Sequence, residues 1–419
     1  MFNEFTLQNG VRVICERMES VRSVAVGVWV GAGSRFERAE HSGVSHFIEH
    51  MLFKGTRSRT AKQIAEEIDA IGGQINAFTF KDCTCFYTKT LDIHLAQSLD
   101  ILSDILLNSK LTKPDINLER GVILEEINMY EDSPEDLVHD LLTESVWRDS
   151  PLGMPILGTA ESLVKIDKTV LRQYLTEKYI PQNVVISVAG SFDPSALRQT
   201  LERKFRKLKA SGEAAAPVSD HPRYAPGARI RQKDTEQVHL CLGLPGIEIG
   251  NDDNYALHLV NSIFGGGMSS VLFQKIREDL GLVYSIYSYL TAHRHAGLFT
   301  VYAGMQLDRT ERVLNMIVDE LRTFRASGMT GDLLEKSKEQ FKGNFLMGLE
   351  SVNARMTSIG KSELLLGYVN TPDEIVQKVE AVTLEKAYEV TERVFALDKI
   401  AISAVGCVDD RLEQVLRSF

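Results

Sequence analysis

The sequence predicts an α+β protein built from two homologous domains, each a mostly antiparallel β-sheet packed with helices. Three observations predict it. The chain has 419 residues, 44% of them hydrophobic, enough for two or three domains with real cores and too much for disorder or a small disulfide scaffold. Its two sides resemble each other at one constant offset. Leu91-Asp92 matches Leu307-Asp308, Leu118-Glu119 matches Leu334-Glu335, and Gly190 with Asp193 matches Gly406 with Asp409, each 216 apart. Finally, residues 209–227 at mid-chain are small, polar and Pro-bearing, without apolar periodicity, as a linker is. The expected division is therefore a first domain at 1–208, a linker at 209–227 and a duplicated domain at 228–419.

Residues 11–15 and the Val-rich 23–33 read as buried strands, the second too short to span a bilayer. Thr60-Ala61-Lys62-Gln63 forms a capping box that opens a helix to about Ile71, and Gly72-Gly73 stops it. Residues 74–80 and 84–91 read as paired strands. Helices are expected over 93–108 and 115–130, with Pro114 near the start of the second. Strands joined by hairpins and separated by helix pairs predict a largely antiparallel sheet with helices on a face.

Composition narrows the function. The balance of 47 Lys+Arg against 57 Asp+Glu gives −10, with no long basic run, which argues against a nucleic-acid partner and favours a cationic peptide. Five scattered cysteines, Cys15, Cys83, Cys85, Cys241 and Cys407, fit a reducing compartment. Cys83 and Cys85 alternate on a strand, which is not C-x-x-C spacing. The N-terminal residues have no basic segment before an apolar one, so a cytoplasmic location without a membrane partner is expected.

The chemistry concentrates in His46-Phe47-Ile48-Glu49-His50, inside an apolar-periodic stretch that predicts a helix. A spacing of four puts His46 and His50 one turn apart on one face, where two imidazoles reach one tetrahedral ion. Glu49 flanks the same face. This is the inverted zincin pattern H-x-x-E-H, in which the Glu takes a proton from the attacking water and passes it to the leaving amine. A catalytic zinc needs a third protein ligand. The helix carrying Glu119, Glu125 and Glu126 offers one: Glu119 and Glu126 are seven apart and project from one side. Spacing does not choose between Glu125 and Glu126.

With these motifs the chain resembles the pitrilysin/insulinase metallopeptidases, in particular the β subunit of mitochondrial processing peptidase and its single-chain bacterial relatives. The likeness rests on His46-x-x-Glu49-His50-Met-Leu-Phe-Lys-Gly-Thr56, on Gly72-Gly73-x-x-Asn76-Ala77, and on Glu126 lying 76 residues past His50. It covers nearly the full length. It implies one zinc ion per chain held by His46, His50 and Glu126, with Glu49 as general base and Glu119 as a second acid that orients groups around the ligands. It also implies that Asn76, Ala77 and Phe78 form an edge strand to which an extended peptide adds itself. Phe53 matches the aromatic residue lining the pocket after the scissile bond. Asp136 and Asp140 fall where processing peptidases hold a substrate arginine.

In the second half, Phe273-x3-Arg277-x3-Gly281-Leu282-x-Tyr284 is similar to the segment whose Arg and Tyr face the zinc in this family, so Arg277 and Tyr284 are expected to stabilise the developing oxyanion. The positions 216 past His46, Glu49, His50 and Glu126 are Ser262, Gly265, Gly266 and Lys342, which cannot replace the ligand set. Gly265-Gly266-Gly267 lacks the Lys-Ser/Thr of a phosphate loop and reads as a tight turn. A two-domain chain rebuilds the four-domain chamber of the family's long members by pairing, so a homodimer is expected, each site completed by Arg277 and Tyr284 of the partner subunit. The resulting expectation is a zinc endopeptidase cutting unfolded peptides or leader segments by metal-activated water attack. A noncatalytic peptide-binding scaffold and a zinc amidase are the competing readings.

Overall fold

The computed structural model describes residues 2–209 and 221–417, so residues 210–220 of the expected linker lie outside the described residues. The first half runs β1 (Asn3–Thr6), β2 (Arg12–Arg17), β3 (Ser23–Val30), α1 (Val44–Leu52), α2 (Ala61–Asp69), β4 (Gln74–Thr79), β5 (Thr84–Leu91), α3 (Leu95–Asn108), α4 (Lys113–Glu131), α5 (Pro134–Val146), α6 (Ala160–Lys165), α7 (Lys168–Lys178), β6 (Val184–Gly190) and α8 (Pro194–Phe205). The second half continues with β7 (Ala228–Gln232), β8 (Val238–Pro245), α9 (Asp253–Phe264), a π-helical turn (Phe273–Glu278), β9 (Ser285–His293), β10 (Ala296–Met305), α10 (Thr310–Ser327), α11 (Gly331–Gly348), α12 (Val352–Leu366), α13 (Pro372–Glu380), α14 (Leu384–Val394), β11 (Ala401–Gly406) and α15 (Asp410–Arg417). The order of elements repeats, and α7 and α14 lie 216 residues apart at both ends.

The first sheet has the order β1-β2-β6-β3-β5-β4 and the second β7-β11-β8-β10-β9. All neighbours are antiparallel except β2 with β6 and β7 with β11. The α+β expectation therefore holds, with one parallel pair in each sheet. Central β3 and β6 are buried on both faces and read as continuous apolar runs, whereas β4 stands at an edge and alternates. The capping box at Thr60 is formed, with Gln63 N donating to Thr60 Oγ1 and Gln63 Oε1 accepting from Thr60 N. Gly72 adopts φ +60°, which ends the α2 segment where only a residue tolerant of the left-handed region fits. Arg294-His295 is the tip of the β9–β10 hairpin, with His295 at φ +62°.

Two compact units emerge, and their boundaries differ from a simple cut at 209–227. The first comprises Met1–Ile127, Met154–Ser219 and Met347–Val369; the second comprises Asn128–Gly153, Asp220–Leu346 and Asn370–Phe419. The halves exchange a helix. α12 lies across β2, β3 and β6 of the first sheet, and α5 lies across β8 and β11 of the second. Each sheet thus buries one face against its own half's helices and the other against a single helix from the opposite half. Leu137, Val138, Leu141 and Leu142 of α5 make a small core with Cys241, Leu298 and Val405. Reach explains why position in the sequence does not assign α5 and α12: an amphipathic helix must bury its apolar stripe, but the stripe does not name the surface.

Candidate metal centre

Helix α1 begins after Gly43, a left-handed residue with no side chain to cap the first turn. Glu37 supplies the cap from outside: its buried carboxylate accepts from Gly43 N at 2.6 Å and Ser45 N at 2.8 Å. Burial pushes its carboxyl up to about 7 against the pull of those donors and of Lys81. Phe47, Ile48, Met51 and Leu52 sink into the first core, and this fixes the rotation of α1 so that His46 and His50 share the other face. Their rings meet edge to face, centroids 4.6 Å apart.

Glu126 reaches this pair from the middle of α4. Its Oε2 lies 3.7 Å from His46 Nε2 and 3.5 Å from His50 Nε2. The three residues offer ligand atoms all within 4.8 Å of one another, the one such group among the described residues. Glu125, the alternative that spacing left open, points out to solvent. Tetrahedral zinc with bonds of about 2.0–2.1 Å sets its ligand atoms about 3.3–3.4 Å apart, and both imidazole-to-Glu126 distances lie within a few tenths of an ångström of that separation.

Electrostatics agree with the geometry. Burial, with His50 as a second cation beside it, pulls His46 down to about 4, so at neutral pH it carries the free lone pair a ligand needs. For His50 burial also acts downward, but hydrogen bonds and charges from Glu126 and Glu119 outweigh it and raise the pKa. The hydrogen bond from His50, opposed by burial, holds Glu126 below its usual range. A cluster that binds a proton this firmly between carboxylates and imidazole attracts a divalent cation in its place.

Glu119 is 1% exposed and accepts from His50 Nδ1 at 3.1 Å, which turns the other ring nitrogen, Nε2, towards Glu126. Its other oxygen forms an ion pair with Lys54 Nζ at 2.6 Å. Lys54 lies just past the C-cap of α1, so the end of that helix and the residue that follows it bracket the buried acid. Glu49 stands beside the cluster with its Oε2 accepting from Thr79 Oγ1 at 2.6 Å. Burial raises its pKa, as a general base working near neutrality requires. Glu37, Lys54 and Thr79 were not singled out by sequence; a search for polar residues one turn beyond the motif would have found Lys54 alone.

The remaining expected site residues are distributed as follows. Asn76, Ala77 and Phe78 stand on β4, which pairs only with β5 among the described strands, and Asn76 Oδ1 accepts from Ala77 N at 2.8 Å. Phe53 follows α1 and packs on Phe86 at 6.3 Å. Asp136 and Asp140 are on α5, in the second unit, where Asp136 accepts from the Ser133 hydroxyl at the helix N-cap. Arg277 and Tyr284 are also in the second unit. Arg277 lies 4.6 Å over the Phe273 ring, 6.0 Å over the Tyr284 ring and 3.9 Å from Glu278, and Tyr284 is 74% exposed. Cys83 and Cys85 are buried thiols on or beside β5.

Comparison with known proteins now adds the family. Residues 12–160 match the model of Insulinase (Peptidase family M16), and residues 165–341 match Peptidase M16 inactive domain. The chain belongs to the M16 peptidase family. It is 44% identical over 398 residues to the uncharacterized zinc protease YmxG of Bacillus subtilis (strain 168), covering 95% of this chain and 97% of that one. An uncharacterized zinc protease of Streptomyces coelicolor is 37% identical over 412 residues, covering 97% and 90%. In fold the chain matches the crystal structure of a protease from Helicobacter pylori with TM-score 0.91 and 21% identity, covering 97% of this chain and 99% of that chain. This M16 member is thus a zinc metallopeptidase that acts on peptide substrates. No helix among its described residues is long and apolar enough to cross a membrane.

Proposed function

We propose that the chain is a zinc endopeptidase that cuts unfolded peptides or leader-like segments inside a homodimeric chamber. The convergence of His46, His50 and Glu126 next to the tethered carboxylate of Glu49 carries this reading. His46, His50 and Glu126 hold the ion, and Glu119 with Lys54 behind it keeps His50 in the right tautomer. When bound, zinc lowers the pKa of a water and polarises the scissile carbonyl. Glu49 accepts the proton of the attacking water and delivers it to the departing amine. The peptide adds to the open edge of β4, displacing the Asn76 side chain from Ala77 N, and Phe53 lines the pocket after the cut. The partner subunit's Arg277 and the partner subunit's Tyr284 donate to the carbonyl oxygen as charge develops on it. The exposure of Tyr284, and the absence of a second ligand set among the described residues of the repeat, support completion of the site by pairing. Asp136 and Asp140 take a basic substrate side chain, in keeping with the net charge of −10.

One pair of variants tests both halves of this reading. Glu49→Gln is expected to bind one zinc per chain and to have no peptidase activity, read by metal analysis and digestion of an unfolded protein. Arg277→Ala is expected to be strongly impaired as well. Mixing the two lets subunits exchange and restores activity, because each heterodimer regains one intact site. Full activity in Glu49→Gln refutes the mechanism, and a mixture no more active than its parts refutes the shared site.

A further inference from the structure

The polar contact that fixes the base comes from a strand, not from the zinc-motif helix. Along β4 the inward positions are Ile75, Ala77 and Thr79 by the two-residue alternation, and α1 packs against this strand. Thr79 is 8% exposed, and its Oγ1 donates to Glu49 Oε2 at 2.6 Å. The other carboxylate oxygen, Oε1, accepts no hydrogen bond from the described residues.

Thr79 is also where the open edge of β4 stops. The next two carbonyls are taken from the far side, Phe80 O by Ser34 N at 3.2 Å and Lys81 O by Arg35 N at 3.1 Å, and Phe80 N donates to Cys83 O at 2.8 Å. The hydroxyl on the base therefore hangs from the anchored end of the six residues along which an extended peptide would lie. A Glu side chain has three rotatable bonds and loses much freedom when one oxygen is tethered. A hydroxyl proton spent on Oε2 leaves Oε1 as the oxygen that receives a proton, with its direction set by the strand.

We propose that Thr79 is a positioning residue for the hydrolysis: its hydroxyl aims the Glu49 carboxylate, and through it the substrate-accepting strand and the base keep one fixed registration. The inference rests on the reading of Glu49 as base and β4 as docking edge. It is tested with the full chain loaded with zinc, comparing Thr79→Val, which keeps the shape and removes the hydroxyl, with Thr79→Ser, which keeps the hydroxyl. Thr79→Val should lower kcat about tenfold or more while KM for an unfolded protein and bound zinc stay at wild-type values. Thr79→Ser should stay within about twofold of wild type. A wild-type kcat in Thr79→Val, equal losses in the two variants, or a loss expressed in KM or in zinc content overturns it. Glu49→Gln measured alongside separates the two levels: if it is dead and Thr79→Val is normal, only the positioning role fails; if Glu49→Gln is active, the parent reading fails with it.

Discussion

The corresponding positions in the two repeats have opposite fates. In the first unit, His46, His50, Glu119 and Glu126 point at one another from α1 and α4, largely out of water, and their charges are balanced only collectively. In the second, Ser262 donates to Gln340 Oε1 at 2.8 Å, and Lys342 pairs with Glu339 at 2.5 Å and with Glu380. Glu335, the counterpart of Glu119, is exposed and pairs with Lys338 at 2.9 Å. A side chain at Gly266, where His50 would fall, would lie 2.9 Å from Ser262 Cα and 3.0 Å from Asn261 O. Ser262, Glu335 and Lys342 pair with neighbours of their own unit and do not converge on a common point. Chemistry thus resides in a few side chains placed on a scaffold that is indifferent to them.

The largest effect should come from breaking this asymmetry at its charged end. Glu126→Gln is expected to lose the zinc and at least about 4 kcal/mol of transition-state stabilisation, roughly a thousandfold in rate. Lys342→Met, at the corresponding position, should leave zinc content and cleavage unchanged. Metal analysis of the two purified variants, with peptide digestion, decides it; zinc retained in Glu126→Gln would return the ligand role to another acid.

How much of this could be read without coordinates follows the range of the interaction. H-x-x-E-H is local, so helical geometry alone brought His46, His50 and Glu49 together, and the capping box and the β4–β5 hairpin were equally legible. Glu126 lies far along the chain, and spacing left it tied with Glu125 until the family resemblance separated them. Thr79 and Glu37 carry no pattern: each acts by arriving from another element, one at the base and one at an uncapped helix start. The parallel pairs β2–β6 and β7–β11 and the exchanged helices α5 and α12 are products of tertiary pairing between distant segments, where periodicity says only that a face is buried.

The exchanged helices sharpen the comparison at a smaller scale. Gly27 and Gly243 are 216 residues apart on β3 and β8, each beneath the visiting helix. A Cβ on Gly27 would lie 2.3 Å from Met356 Sδ and 2.8 Å from Trp29 Nε1, whereas on Gly243 it would meet Leu142 carbons at 3.0–3.3 Å. Met356 can swing away, but the Trp29 indole is held by its hydrogen bond to Ser187 Oγ at 2.8 Å. Gly27→Ala should therefore cost about 1–3 kcal/mol and Gly243→Ala distinctly less, by urea denaturation. Adding Met356→Ala should recover part of the first loss but none of the second. Equal costs would mean that the two helix seams are packed alike.

The smallest difference lies in how the two units respond to pH. The first buries Glu37, raised to about 7 by burial, and the second half-buries His139, which burial lowers to about 4, among Tyr289 at 2.7 Å, Tyr287 at 3.4 Å and Cys241 at 3.3 Å. The folded state holds the Glu37 proton more tightly than the unfolded chain, so this contribution is complete below about pH 4.5 and is lost as pH rises through 7. His139 is held neutral, so its contribution is complete above about pH 6.5 and is lost as pH falls through 4. Each is worth at most about 3 kcal/mol by the size of its shift. Denaturation of wild type, Glu37→Gln and His139→Gln between pH 4 and 8 reads them separately. Relative to wild type, Glu37→Gln should gain stability as pH rises from 4.5 to 7 and His139→Gln should gain as pH falls from 6.5 to 4. Difference curves of the same sign would show that burial does not govern both groups, and that the Gly43 and Ser45 amides hold Glu37 as an ordinary anion.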